Sequence, residues 1–269
     1  MKRQMVSILI MLALFLSVLY IPPSIEVAAK SKKKIYSEIA EQFLKRKKNF
    51  RITCSYDKTV QSIVDRINSK SDSRYYSALH DITCQSDRSN TTDDGEYLYG
   101  ILEQVYCYYA SGSLHFYDVK YFETKAQTKI VNIFTHELVK EIEKECSSRY
   151  KKIMCAYAFV IEQITYDTRK NCLFSAYAGY VKGKTVCNGY ALMLYKILME
   201  MGIPAKFVSG KLKDGKKWYP HAWNMVKYAG KWYNLDACSD DEDDGEFYAD
   251  FFMKTDKQLS KTHRKDRFY

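Results

Sequence analysis

Three-to-four-residue periodicity dominates the middle of the chain. From Lys125 to Cys146 apolar residues recur at Ile130, Ile133, Phe134, Leu138 and Ile142, and a second amphipathic run follows Ser147-Ser148 and continues to Ile164. This spacing puts each set on one face of a helix and predicts two consecutive helices. A third run follows Cys187, with Ala191, Leu194, Tyr195, Leu198 and Met201 on one face. Gly202 and then Ile203-Pro204 predict a glycine-capped end and an extended exit. Cys187 therefore falls at or just before a helix N-terminus.

Alternation with period two appears on either side. Residues 221–238 alternate about Tyr228-Ala229-Gly230-Lys231, the pattern of a β-hairpin. With Ala229-Gly230 as the loop, Trp223 faces Asp236 and His221 faces Cys238. His221 and Asp236 are then diagonal neighbours on one face, roughly 7–8 Å apart by Cα. A slip of one residue would put them on opposite faces. Earlier in the chain, 50–56 and 101–110 have strand composition, 57–69 and 72–83 have helical spacing, and Ser86 to Gly95 is a polar loop. This predicts a smaller N-terminal α+β module at 50–124, behind a basic linker at 30–49 and ahead of a larger unit at 125–269. Phe251 to Asp256 reads as a last strand and turn.

A cysteine, a histidine and an acid in this setting are a nucleophile, a general base and the group that orients the base. The amides and dipole at a helix N-terminus favour a thiolate there. A lone cysteine is more often a small buried hydrophobe, so the weight rests on the conjunction. Thr185-Val186-Cys187-Asn188-Gly189-Tyr190, His221-Ala222-Trp223-Asn224 and Lys231-Trp232-Tyr233-Asn234-Leu235-Asp236 occur in order, with Tyr166-Asp167, Ser175-Ala176-Tyr177 and Gly202-Ile203-Pro204 around them.

From about Ile153 to about His263 the chain resembles the transglutaminase-like superfamily, in its bacterial secreted branch. The resemblance implies an α+β fold: a papain-like core with the nucleophile helix packed on an antiparallel sheet. It also implies catalytic roles for Cys187, His221 and Asp236. The chain departs from the pattern after the aspartate, where many relatives read Asp-x-Thr-Trp-Asp and this one has Asp236-Ala237-Cys238-Ser239-Asp240. Loss of the aromatic at Ser239 is expected to alter packing beside the site. The backbone N–H of Cys187 is the first expected oxyanion donor, with Tyr180 or Trp223 as candidates for the second. His263 matches a histidine of the family's tail, and the sequence assigns it no chemistry. The activity implied is thiol-dependent acyl transfer on amides of cell-wall or surface proteins and peptides. Water as acceptor makes a cysteine peptidase or amidase, an amine makes a protein-glutamine transglutaminase, and a scaffold without turnover is the third reading.

Composition bounds the setting. Lys2 and Arg3, an apolar run from Met5 to Ile21 and Val27-Ala28-Ala29 form a signal-peptide pattern over residues 1–29, with a retained membrane anchor as the alternative. An exported, extracellular or cell-surface protein is expected. Without that segment the chain holds 40 basic and 31 acidic residues. Lys30 to Lys34 and Lys45 to Lys48 concentrate the excess, which suits anionic cell-wall or membrane surfaces as well as a solvated linker. No recognition motif supports nucleic acid.

Eight cysteines in an exported chain invite disulfides. Cys155 lies in an apolar helical pattern and reads as core, while Cys54 and Cys84 could pair. No cofactor or metal is expected: there is no Cys-x-x-Cys, and the histidines do not come at ligand spacing. The acidic run from Asp240 to Asp244 fails the calcium-loop template, because its twelfth position is Phe251.

Overall fold

Ser31 caps the first helix, α1 (Lys32–Leu44), by accepting a hydrogen bond from the Lys34 amide. Ile35, Ile39 and Phe43, one turn apart, are buried along its inner face. Residues 32–44 are therefore not a basic linker. Their lysines cover the solvent side of a helix whose Phe43 packs edge-on against Phe50 and Phe116. The computed structural model describes residues 29–85, 95–169, 174–241 and 248–266.

A three-stranded antiparallel sheet follows, formed by β1 (Phe50–Thr53), β2 (Leu102–Ala110) and β3 (Ser113–Tyr121) in the order β1-β3-β2. Helices α2 (Lys58–Ile67), α3 (Asp72–Cys84) and α4 (Gly95–Ile101) lie between β1 and β2 in the chain. The strand-like reading of 101–110 holds, and it has a partner, β3, that the sequence reading left out. Ser111-Gly112 joins the two strands with φ of 48° and 71°, the backbone of a type I′ turn.

The two long helices appear where their periodicity places them. Helix α5 (Lys125–Glu145) begins in a capping box made by Thr124 and Gln127, and α6 (Arg149–Gln163) is capped by Ser148. A Cys146–Cys155 disulfide joins them. This corrects two expectations: Cys155 is a disulfide partner rather than plain core, and Cys54 and Cys84 are not joined to each other. A disulfide between a helix end and the next helix is a tertiary fact that spacing alone does not show.

The last unit holds a short parallel pair, β4 (Thr165–Tyr166) with β5 (Lys184–Thr185), the helix α7 (Ala176–Lys182) and the helix α8 (Cys187–Glu200). Helix α8 ends in a Schellman motif: the Ile203 amide bonds Leu198 O, the Gly202 amide bonds Met199 O, and Gly202 has φ of 65°. The chain then enters a four-stranded antiparallel sheet, β6 (Ala205–Asp214), β7 (Lys217–Tyr228), β8 (Lys231–Leu235) and β9 (His263–Lys265), in the order β8-β7-β6-β9. The last strand is thus β9, not 251–256. That segment contributes one bridge, Lys254 to Asn234, and leads to the short helix α9 (Asp256–Leu259).

Both faces of the second sheet are covered. Ala222, Val226 and Leu235 join the main core around α8, while Trp223, Met225, Val208 and Leu259 form a smaller cluster on the other side. The main core also includes α1 to β3, so no break in packing separates 50–124 from the rest. Tyr99 on α4 reaches the second sheet directly, its hydroxyl 2.8 Å from Ser209 Oγ on β6. The apolar stretch to residue 28, Cys172 and the acidic residues 242–247 lie outside the described residues. Among those described, no helix is long and apolar enough to cross a membrane.

Candidate active site

Helix α8 places Cys187 in its first turn, at half-buried depth. Val186, the residue before it, makes no side-chain cap. Asn188 ties this turn down: its Nδ2 donates to Phe174 O at 2.7 Å and to Gly100 O at 3.2 Å. Gly189 is required by close approach, since a Cβ there would stand 2.2 Å from the Thr185 hydroxyl oxygen. On the sheet side, Asn224 pins the helix by donating to Ala191 O at 2.9 Å.

The hairpin has the register read from the sequence. Tyr228 pairs with Lys231, Lys227 with Trp232 and Asn224 with Leu235, around the loop Ala229-Gly230. His221 and Asp236 consequently meet, His221 Nε2 lying 2.8 Å from Asp236 Oδ2. Nε2 is committed to the carboxylate, which leaves Nδ1 as the ring nitrogen open to other partners, and the Cys187 thiol is among the groups that act on the His221 charge.

Electrostatics reinforce it. Burial opposes a charged His221, but the Asp236 charge and hydrogen bond, followed by the Cys187 hydrogen bond, push its pKa up to about 10. Burial likewise opposes an ionised Asp236. The His221 charge and hydrogen bond, with a hydrogen bond from His263, overcome it and hold the carboxyl far below its ordinary value. Cys238 also lies close to this group. Burial first, then the Asp236 and Cys187 charges, push its thiol well above the ordinary value, so it is held neutral.

Two partners of Asp236 escaped the sequence reading. His263 Nε2 lies 2.8 Å from the same Oδ2, and its Nδ1 lies 2.8 Å from the Thr262 hydroxyl. Ser239 donates its hydroxyl to Oδ2 at 2.5 Å and its amide to Oδ1 at 3.3 Å. The serine that replaces an aromatic of the family pattern thus holds the carboxylate. His263 arrives through β9, whose pairing with β6 sets it against Leu212 while Gly210 faces His221. Gly210 makes room: a Cβ there would stand 2.2 Å from the Arg264 carbonyl oxygen and 2.7 Å from the Trp223 ring, which packs against both histidines.

His221, Asp236 and His263 offer three atoms at ligand distance. Both imidazole nitrogens are aimed at one carboxylate oxygen at hydrogen-bond length, which is the geometry of an oriented base rather than of a shared ion.

Neither side-chain candidate for the oxyanion hole is free for it. The Trp223 indole N–H donates to Asn234 Oδ1 at 3.0 Å, and the Tyr180 hydroxyl is 3.0 Å from the Thr135 hydroxyl. The acidic run begins as structure, not as an ion site. Buried Asp240 accepts from the Tyr157 hydroxyl at 2.5 Å and from the Phe251 amide at 3.0 Å, and Asp241 accepts from the Tyr190 hydroxyl.

No curated protein matches the chain. Similar solved structures include one described as a TGase, 18% identical with a TM-score of 0.38, covering 58% of this chain and 48% of that one. Another is described as a "putative cysteine protease" from Cytophaga hutchinsonii, 18% identical with a TM-score of 0.36, covering 40% of this chain and 37% of that one. The chain thus spans about half or less of the length of these proteins. Residues 136–237, which contain Cys187, His221 and Asp236, match the model of the transglutaminase-like superfamily.

Proposed function

We propose that the chain is a thiol-dependent acyl-transfer enzyme acting as a cysteine peptidase or amidase. The observation that carries this reading is the buried His221, hydrogen-bonded to Asp236 and raised in pKa by that carboxylate and by the Cys187 thiol. A protonated imidazole held against a thiol favours the thiolate, which adds to an amide carbonyl. The Cys187 amide, in the first turn of α8, would donate to the developing oxyanion. His221 then gives its proton to the leaving nitrogen, the C–N bond breaks and a thioester remains on Cys187. Neutral His221 next takes a proton from water, which attacks the thioester and releases the acid. Asp236 keeps one tautomer and one orientation throughout, and Ser239 and His263 keep Asp236 in place.

The signal-peptide pattern at 1–29 and the lysine-rich start of the mature chain support an exported enzyme that meets cell-wall or surface proteins. The test is mass spectrometry of the protein after a thiol-directed acylating probe, followed by release of the acyl group from Cys187 with and without a primary amine. Acylation at Cys187 and release as the acid is the expected result. Preferential capture by the amine would make the enzyme a transglutaminase, and no acylation of Cys187 would leave a scaffold without turnover.

A further inference from the structure

We propose that His80, Cys84 and Glu96 form a zinc-type metal site in the N-terminal module, separate from Cys187. The first two stand four residues apart on α3, on one face, and Glu96 lies in the first turn of α4. One imidazole nitrogen, the thiol sulfur and one carboxylate oxygen all come within 4.8 Å of one another. These are the three ligand types zinc takes in proteins. They also form a set that oxygen-seeking magnesium and calcium do not favour.

The spacing fits an ion better than it fits the competing ion pair. His80 Nε2 stands 3.5 Å from Glu96 Oε1. That is long for a charge-assisted hydrogen bond, for which about 2.7–2.9 Å is usual. Two ligands each about 2.0–2.1 Å from a tetrahedral zinc stand roughly 3.4 Å apart. The side chains of His80 and Glu96 are only 12% and 15% exposed, so the carboxylate sits largely out of water, where a cation is worth most. Tyr99 packs edge-on against the His80 ring, centroids 5.5 Å apart, and restricts its rotation. Thiolate and carboxylate together neutralise a divalent ion. Binding releases the Cys84 thiol proton to solvent, and water completes the fourth position.

The consequence is mechanical. An ion here joins the end of α3 to the start of α4. The same helix carries Tyr99, bonded to Ser209 of the second sheet, and Gly100, whose carbonyl holds Asn188 beside Cys187. Metal would therefore brace the support of the nucleophile turn without touching the reacting atoms. Reading sequence for Cys-x-x-Cys or paired histidines overlooks a His-x3-Cys pair completed by a distant glutamate.

The test uses the full chain freed of metal by chelator. Titration with Co2+ should saturate at one ion per chain and produce a thiolate-to-cobalt charge-transfer band. The band should vanish in Cys84→Ser and persist in Cys187→Ala, and His80→Ala and Glu96→Gln should each weaken binding about tenfold or more. In the unaltered chain, Zn2+ should protect Cys84, and not Cys187, from alkylation read by peptide mass. No charge-transfer band, a band that survives Cys84→Ser or disappears in Cys187→Ala, or unprotected Cys84 would overturn the proposal. The protection experiment decides the matter even where a variant fails to fold.

Discussion

The two hairpins of this molecule share a turn and differ in everything above it. Both β2–β3 and β7–β8 close through two residues at positive φ, Ser111-Gly112 at 48° and 71° and Ala229-Gly230 at 46° and 79°. In the first, Val105, Cys107, Leu114 and Phe116 are buried, while Tyr106, Tyr108 and Tyr117 stand more than 40% exposed on the other face. In the second, six successive residues from His221 to Val226 are buried because both faces are covered. Turn chemistry sets the register of each, and tertiary cover decides what the register is used for. A polar side chain on a face that stays wet needs no partner, whereas one on a face that is covered must find one. Buried Asn224, Asn234, His221 and Asp236 all do.

The largest difference between the hairpins should appear on removing those partners. Cys187→Ala and His221→Ala should each abolish turnover, and Asp236→Asn should cut kcat by roughly 10⁴ through the wrong imidazole tautomer. On the proposed mechanism their effects should be far from additive, since residues that act as one unit fail together. No substitution of Tyr106, Tyr108 or Tyr117 should change kcat. Steady-state kinetics with circular dichroism on each variant checks both halves.

Next in size is packing. Trp223→Ala removes a fully buried indole and strands Asn234 Oδ1, which should cost about 3–5 kcal/mol in denaturant unfolding. Tyr106→Ala, which loses one exposed stacked contact with Tyr117, should cost about 1 kcal/mol or less.

pH separates the hairpins more gently. The depressed Asp236 pKa contributes stability present above the ordinary carboxyl value of about 4 and lost as pH falls below it. The raised His221 pKa contributes stability present in full below about 6.5 and lost as pH climbs towards about 10. Stability from this pair is therefore greatest between these limits and declines on both sides. Unfolding free energies measured from pH 3 to 10.5 should show that profile, and it should flatten in a His221→Ala, Asp236→Ala double variant.

The smallest effect should be the one the hairpins share. Asn tolerates positive φ better than Ser or Ala, so Ser111→Asn and Ala229→Asn should each stabilise by about 0.5–1 kcal/mol. Unequal gains, measured by thermal unfolding, would mean that the turns are not interchangeable.

Much of this was legible before any coordinates. Helices α5, α6 and α8 and the β7–β8 register follow from local periodicity, a capping glycine and a two-residue loop, all of which act within a few residues. Helix α1 carries the same kind of signal at Ile35, Ile39 and Phe43, and the surrounding lysines obscured it. The missing parts are non-local. His263 reaches Asp236 only because β9 crosses to β6, some fifty residues away in sequence, and Ser239 becomes a ligand of the carboxylate only after the chain turns beyond β8. The Cys146–Cys155 bond likewise depends on how α5 and α6 pack.

The most direct test of the central claim is the alkylation rate of each cysteine at neutral pH, resolved by peptide mass in the unaltered chain and in His221→Ala. Cys187 should react faster than Cys54, Cys84, Cys107 and Cys238 and should slow by about a hundredfold when His221 is removed. Equal labelling of Cys187 and Cys84, or a Cys187 rate unchanged by loss of His221, would contradict a thiol activated by its imidazole.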